Sequence, residues 1–579
     1  MSPAFPRKLR TPTSRGRQRL LLTLIGLTLL LLLSTDGAFR GTIWHQLWSV
    51  TGEEQPLAQW RATVEYLGNA LRAPVRVARY AAIQHAGVNP YGVNTFLQLE
   101  VDPANVNRQL AMIAAAGFQW IRQEFPWEDI EIHARGDFQD RRNLATVGEI
   151  SSWDKYDRIV SLAEEHGLTL QVRLSNPPAW SRANPNKGDF APPDRLEDFV
   201  EFAATVAERY RGRIRHYQIW NEPNIYPEWG EQPINPEDYA HLLCLTHQAL
   251  KAVDPHIIVI SGALAPTNSL DQYNLSDLVF LQRMYDAGAG ECFDVLSLQG
   301  YGLFSGPTDR RLNPNSVNYS RNLLIRDLMV ANHDAHKAIW FSEAAWNPVG
   351  EAGVPRDLQD YDRYGVVTDE QAARYMPLAY QRAAAEWPWL GVINYWFFRR
   401  PNSSEADQSY YYFRMVEPHW QALPIYDSLR DFIAQEEPLL PPGHHQAEHW
   451  AIRGERHTVP DRNADFGSAQ TLLGEVSFRL RGTAFALFPP PSADHAGPIT
   501  TSRMPRETTV ILCQECPEPA GPETFYLSVP SGYVLDAVRV YDRGWAHGYP
   551  LAAIAFIAAS LLLWAIGSGS RERRAHLLP

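Results

Sequence analysis

Cysteine is scarce, four in 579 residues, so no disulfide-dense scaffold and no Cys-rich metal cluster can organise this chain. Its one C-x-x-C, Cys513 to Cys516, has neither a second such pair nor a nearby H-x-x-x-H, so it reads as a local bridge across a loop. Cys244 and Cys292 read as separate buried apolar residues. Also lacking are a Gly-rich phosphate loop, an H-E-x-x-H metal pair and a G-x-S-x-G elbow. The chemistry expected here therefore needs no cofactor and no metal. Positive charge is short in the body: outside the first 19 and last nine residues there are 44 basic and 64 acidic side chains. So acidic a body excludes a nucleic-acid partner, whose phosphates require Lys and Arg.

What is present is a globular composition, 45% hydrophobic and 20% charged, in a chain too long for one ordinary domain. The basic residues missing from the body cluster at both ends, and each cluster abuts an apolar run. Residues 1–19 hold six bases and no acid, ahead of Leu20–Leu33. Arg571, Arg573 and Arg574 follow Tyr549–Ile566, whose 18 uncharged residues approach the ~20 that span a bilayer. Basic flanks prefer the cytoplasmic side. The expectation is a cell-membrane protein: 1–19 a cytoplasmic tail, 20–36 an anchor or signal segment, 547–566 a second span, 567–579 a second cytoplasmic tail. A cleaved signal peptide is the alternative for the first run, but Ser34 to Ala38 offers no clean A-x-A site. Either way the body is exported.

Between these ends the hydrophobic period alternates. Residues 37–84 read as a helical lead-in. Strands are predicted at Gly92–Leu99, Trp120–Phe125, Thr169–Ser175, Ile214–Trp220, Ile257–Ser261, Asp294–Gln299, Ala338–Ser342 and Val392–Phe397. Helices are predicted between them, among them Asn105–Ala116, Lys155–His166, Leu196–Tyr210, Pro236–Val253, Arg321–Ala331 and Asp369–Glu386. Eight such units over residues 85–435 predict an α/β fold, a (β/α)8 TIM barrel. An open doubly wound sheet is the alternative, but no Gly-rich turn follows the first strand. Residues 436–446, rich in Pro and Glu, read as a linker. Residues 447–545 lose the helical period and predict a small antiparallel β-sandwich, either a glycan-docking module or a spacer to the second span.

Two carboxylates stand where apolar strands stop: Glu222 in Trp220-Asn221-Glu222-Pro223, and Glu343 after Trp340-Phe341-Ser342. On different strands of one barrel both would face its C-terminal mouth. A carboxylate pair there suits glycoside hydrolysis, one group protonating the leaving oxygen and the other attacking. Asp129, Asp154 and Glu228 are further acids in loops, and none closes a recognisable strand. Trp127, Trp180, Trp229 and Trp346 fall in predicted top-face loops, where an aromatic face could stack on sugar. Asn274, Asn318 and Asn402 begin glycosylation triplets.

The strand-4 Asn-Glu-Pro with a strand-7 Glu resembles the clan of retaining (β/α)8 glycoside hydrolases. Gly117-Phe118-Gln119-Trp120-Ile121-Arg122 and Asn176-Pro177-Pro178-Ala179-Trp180 are most similar to its β-xylosidase/α-iduronidase-like branch. The resemblance implies Glu222 as acid/base and Glu343 as nucleophile. It implies Asn221 on the sugar 2-hydroxyl, Tyr301 orienting Glu343, Arg122 keeping Glu343 ionised, and Trp396 as the floor of the sugar subsite. Asn176, Trp180, Gln299 and Trp346 complete the expected substrate-binding set. The clan often has His where Gln299 stands; an amide cannot relay a proton but can hydrogen-bond. A carbohydrate is the expected partner besides the membrane. An inactive glycan-binding barrel and a transglycosylase are the competing readings.

Overall fold

The computed structural model describes residues 35–489 except 38, 70 and 481–483, together with Thr23, Thr28 and segments 509–511, 524–528 and 532–541. Apart from Thr23 and Thr28, both apolar runs read as membrane spans lie outside the described residues, as does the Cys513 to Cys516 bridge. Among the described residues no helix is long and apolar enough to cross a membrane.

Eight parallel strands close into a barrel in chain order. They are β1 (Tyr91–Thr95), β2 (Trp120–Pro126), β3 (Thr169–Ser175), β4 (His216–Ile219), β5 (Ile258–Ile260), β6 (Val295–Gln299), β7 (Ala338–Ala344) and β8 (Leu390–Tyr395). A hairpin of helices precedes it, α1 (Thr42–Thr51) and α2 (Pro56–Asn69). Eight helices then follow the strands one by one. They are α3 (Pro103–Ala115), α4 (Trp153–Glu165), α5 (Leu196–Arg209), α6 (Pro236–Val253), α7 (Asp277–Asp286), α8 (Asn322–Ala331), α9 (Asp369–Glu386) and α10 (Pro424–Gln435).

Local chemistry sets the helix starts. Pro103 and Pro236 occupy first turns, and the Asp102 and Asn235 side chains accept the N–H groups of Ala104 and Asp238. Thr368 and Gln371 close a capping box on α9. Each helix then turns an apolar stripe to the sheet, as α5 does with Phe199, Phe202, Ala203 and Val206. The strands are nearly continuous buried runs, as expected when both faces are covered.

Three expectations are corrected. Cys244 and Cys292 are joined in a disulfide, Cα atoms 4.7 Å apart, rather than buried separately. The crossover from β5 through α7 carries the turn Ala289–Cys292 back against α6, a closeness that a separation of 48 residues hides. The stretch read as a linker carries strands Leu439–Leu440 and Gly443–Gln446, so the second domain begins there. That domain consists, among the described residues, of three small sheets, mostly antiparallel, rather than a two-sheet sandwich. Its core holds Leu440, Ile452, Phe478, Phe485 and Val538. It abuts the N-terminal end of the barrel: Trp450 N–H donates to Gly87 O at 2.8 Å, and its ring lies edge-on to Tyr91.

Candidate active site

Glu343 is the penultimate residue of β7 and 4% exposed. The register slips on both sides of its strand, so that Gln299 of β6 pairs with Glu343 and Tyr395 of β8 with Ala344. Such irregularities re-aim a side chain where a plain ladder would not. Glu222 lies three residues beyond β4. Its backbone sits at φ +36° and that of Trp220 at +73°, a conformation bulky residues adopt only under constraint. The constraint is visible: Gln218 donates to Trp220 O at 2.8 Å, Glu222 N–H donates to Ala263 O at 2.9 Å, and the Trp220 indole donates to Glu228 O at 2.7 Å.

Three donors converge on Glu343. Arg122 Nη1 reaches Oε1 at 3.1 Å, Gln299 Nε2 reaches Oε2 at 3.1 Å, and Tyr301 OH reaches Oε2 at 2.8 Å. Arg122 is held in turn by Gln218 (2.8 Å), Asn94 (2.7 Å) and Asn221 (2.8 Å). Burial lowers its pKa to about 10, which leaves it charged at neutral pH. Gln299 also stands beside Glu222, and its amide opposes the rise of that carboxyl.

The two acids sit in unequal surroundings. Burial raises the Glu222 carboxyl well above the ordinary range, and the charges of Glu343 and Glu228 raise it further. Asn221 Nδ2 donates to it at 3.4 Å. A raised carboxyl beside a carboxylate clasped by a guanidinium, an amide and a phenol is an arrangement that can divide proton donation from nucleophilic attack.

The sequence-predicted residues fare differently. Arg122, Asn221, Gln299, Tyr301, Glu222 and Glu343 form one hydrogen-bonded cluster. Trp396 follows β8 partly exposed, its ring 5.5 Å from Phe96. Asn176 follows β3, and its carbonyl accepts the Glu128 N–H at 2.9 Å. It lines, with Phe96, Gln98, Glu124 and Arg400, a cleft of about 410 Å³. Trp180 packs edge-on to Trp127, its indole N–H spent on Glu131 O at 2.8 Å. Trp346 is a correction: it is 1% exposed, donates to Ser305 O at 2.7 Å and fills the space that Gly302 leaves, where a Cβ would come within 2.2 Å of its ring. It is core, not a stacking surface, and so are Trp127 and Trp229.

Other residues escape the sequence reading. Asn94 and Gln218 lock Arg122, and Gln171 and Asn394 extend that amide network beneath it. A polar residue inside a buried β-strand was the available signal. Glu228, one of the loop acids, stands beside Asn221 at 3.4 Å, and burial raises it to about 7 against the opposing pull of Arg173. Arg363 and Tyr364, from the long loop after β7, lie within electrostatic reach of Glu222. Nothing in their local sequence marks them. Among the described residues no three His, Cys, Asp or Glu side chains are grouped to hold a metal.

No family profile and no curated protein matches this chain. Solved structures do. A family 39 glycoside hydrolase from the gut symbiont Bacteroides cellulosilyticus WH2 is 16% identical, over 81% of this chain and 84% of that one, with a TM-score of 0.44. A GH39 β-xylosidase from Caulobacter crescentus is 13% identical over 80% and 99%, with a TM-score of 0.42. An exo-β-1,4-mannosidase from Opitutaceae bacterium strain TAV5 is 15% identical over 62% of each chain, with a TM-score of 0.40.

Proposed function

We propose that this chain is a retaining glycoside hydrolase acting on an oligo- or polysaccharide. Glu222 protonates the glycosidic oxygen while a Glu343 oxygen attacks the anomeric carbon, giving a covalent glycosyl ester and the free alcohol. Glu222, now ionised, takes a proton from water, whose oxygen displaces Glu343 and restores both side chains. Arg122 and Tyr301 hold the attacking carboxylate, Asn221 takes the sugar 2-hydroxyl, and Trp396 floors the sugar subsite.

The observation that carries this reading is the clasp of Arg122, Gln299 and Tyr301 on Glu343 beside a Glu222 carboxyl that burial and the charge of Glu343 raise. Direct attack requires the two carboxyl groups about 5–5.5 Å apart, rather than the 6.5–9.5 Å that leaves room for a water. The unequal environments of the two acids support it, because a paired binding site has no need of one proton-holding acid. The reading extends to the ends of the chain: Leu20–Leu33 and Tyr549–Ile566 anchor the protein in the cell membrane, both termini inside and the barrel outside.

A panel of activated aryl glycosides tests the activity. With the substrate the parent turns over, Glu343→Gln lowers kcat/KM by at least about 10³-fold, and Glu222→Gln lowers kcat because breakdown of the glycosyl ester loses its base. Unchanged rates in both end the proposal.

A further inference from the structure

The first two helices carry an apolar face that the barrel leaves bare. Their inner side is fastened to the barrel's C-terminal end. Gly306 N–H donates to Gly52 O at 2.8 Å and Thr308 to Trp48 O at 2.6 Å, both from the loop after β6. Arg311 pairs with Glu53 and Glu65 at 2.8 and 3.0 Å; Tyr375 and Arg374, in α9, hold Glu54 at 2.6 and 2.5 Å. The outer side of α2 is different. Leu57, Trp60, Val64 and Leu67 recur at steps of three and four, so they share one face, and they are 75%, 45%, 71% and 37% exposed. Phe39 and Leu71 lie exposed before and after the hairpin. Single exposed apolar residues need no explanation; a stripe does.

The charge beside this stripe is one-sided. Segment 35–72 has four acids. Asp36 accepts the N–H groups of Ile43 and Trp44, and Glu53, Glu54 and Glu65 are taken by Arg311, Arg374 and Arg40. Arg61 is exposed one turn from Leu57 and Val64, and pairs with no carboxylate among the described residues. An apolar stripe edged by an unneutralised cation is the pattern of a helix lying on an anionic lipid surface. The chain brings that surface close: the uncharged run Leu20–Leu33 ends six residues before Phe39, at most about 20 Å away fully extended.

We propose that α2 lies in the membrane interface, its Leu57, Trp60, Val64 and Leu67 face sunk among lipid headgroups on the outer side. The inference rests on reading Leu20–Leu33 as membrane-embedded. The hairpin then fixes the barrel's attitude instead of letting it swing on a tether. Its fastenings all lie at the C-terminal end of the strands, so the mouth holding Glu222 and Glu343 opens beside the bilayer.

The test places a nitroxide at Val64→Cys in the full chain, with Cys513 and Cys516 replaced by Ser, in vesicles of phosphatidylcholine and phosphatidylglycerol. Asn143→Cys, in the exposed loop after β2, is the aqueous reference. Power saturation compares collisions with oxygen, which favours lipid, and with a nickel chelate, which stays in water. The proposal expects the oxygen-to-nickel ratio at residue 64 to exceed that at residue 143 several-fold. Equal ratios mean a water-facing helix and overturn it. Shielding from both reagents means a protein cover, a second copy or another segment of this chain, and also overturns it. Carbonate extraction of the same vesicles separates the causes. A retained chain with nickel-accessible residue 64 sinks this inference alone, and a released chain sinks the anchor and this inference together, with the glycosidase assay untouched.

Discussion

Tyr301→Phe deletes one oxygen and keeps a ring that still packs on Phe413, 5.7 Å away centre to centre. The oxygen removed is the donor to Glu343 Oε2 at 2.8 Å. Burial pushes the Tyr301 hydroxyl far up, so in the parent it remains a donor throughout the working pH range. A hydrogen bond to a charged group contributes about 1.5–3 kcal/mol, which at 1.4 kcal/mol per decade is roughly a 10- to 150-fold change. Arg122 and Gln299 still hold Glu343 at 3.1 Å each, so the carboxylate is misaimed rather than lost. The expected outcome is a kcat lowered within that range on an activated aryl glycoside, with KM changed less. The thermal midpoint should fall little, because the ring and its packing are kept. A kcat within roughly twofold of the parent, a difference of ~0.4 kcal/mol where the least effective such bond contributes about 1.5 kcal/mol, would show that Tyr301 does not orient the attacking group.

In the proposed mechanism Glu222 acts protonated, and its carboxyl is raised, so the rate should fall on the alkaline side as pH climbs through its value. Glu228→Gln removes one of the charges that raise it; the alkaline limb of kcat/KM should then move to lower pH, and a limb that stays put would uncouple the two acids. Trp346→Ala should lower stability by about 3–5 kcal/mol, read as a lowered thermal midpoint. Trp396→Ala, at a partly exposed residue just after β8, should instead raise KM and leave that midpoint near the parent's; the reverse pattern would exchange their assignments.

The barrel was legible because each βα unit declares itself locally. β3, α6 and α9 fall on their predicted limits, since Pro236 and the Thr368 capping box are strong start signals. The carboxylate pair was legible for the same reason: each ends an apolar run. What escaped depends on distance in the chain. Cys244 meets Cys292 only through a crossover, and Arg363 reaches Glu222 only through the fold of a long loop. Trp346 misled because position after β7 suggests a site residue, whereas Gly302, 44 residues earlier, makes the hole that buries it. Asn94 and Gln218 were visible as polar breaks in apolar strands but point to a partner, Arg122, that no periodicity identifies.

The most direct test of the carboxylate pair is to trap its intermediate. A 2-fluoro glycoside of the sugar the parent turns over slows breakdown of the glycosyl ester more than its formation, and peptide mass mapping finds the residue carrying the sugar. The account predicts one sugar per chain, on the peptide containing Glu343, and none in Glu343→Gln. Label on Glu228 or another acid, or turnover with inversion at the anomeric carbon, would contradict it.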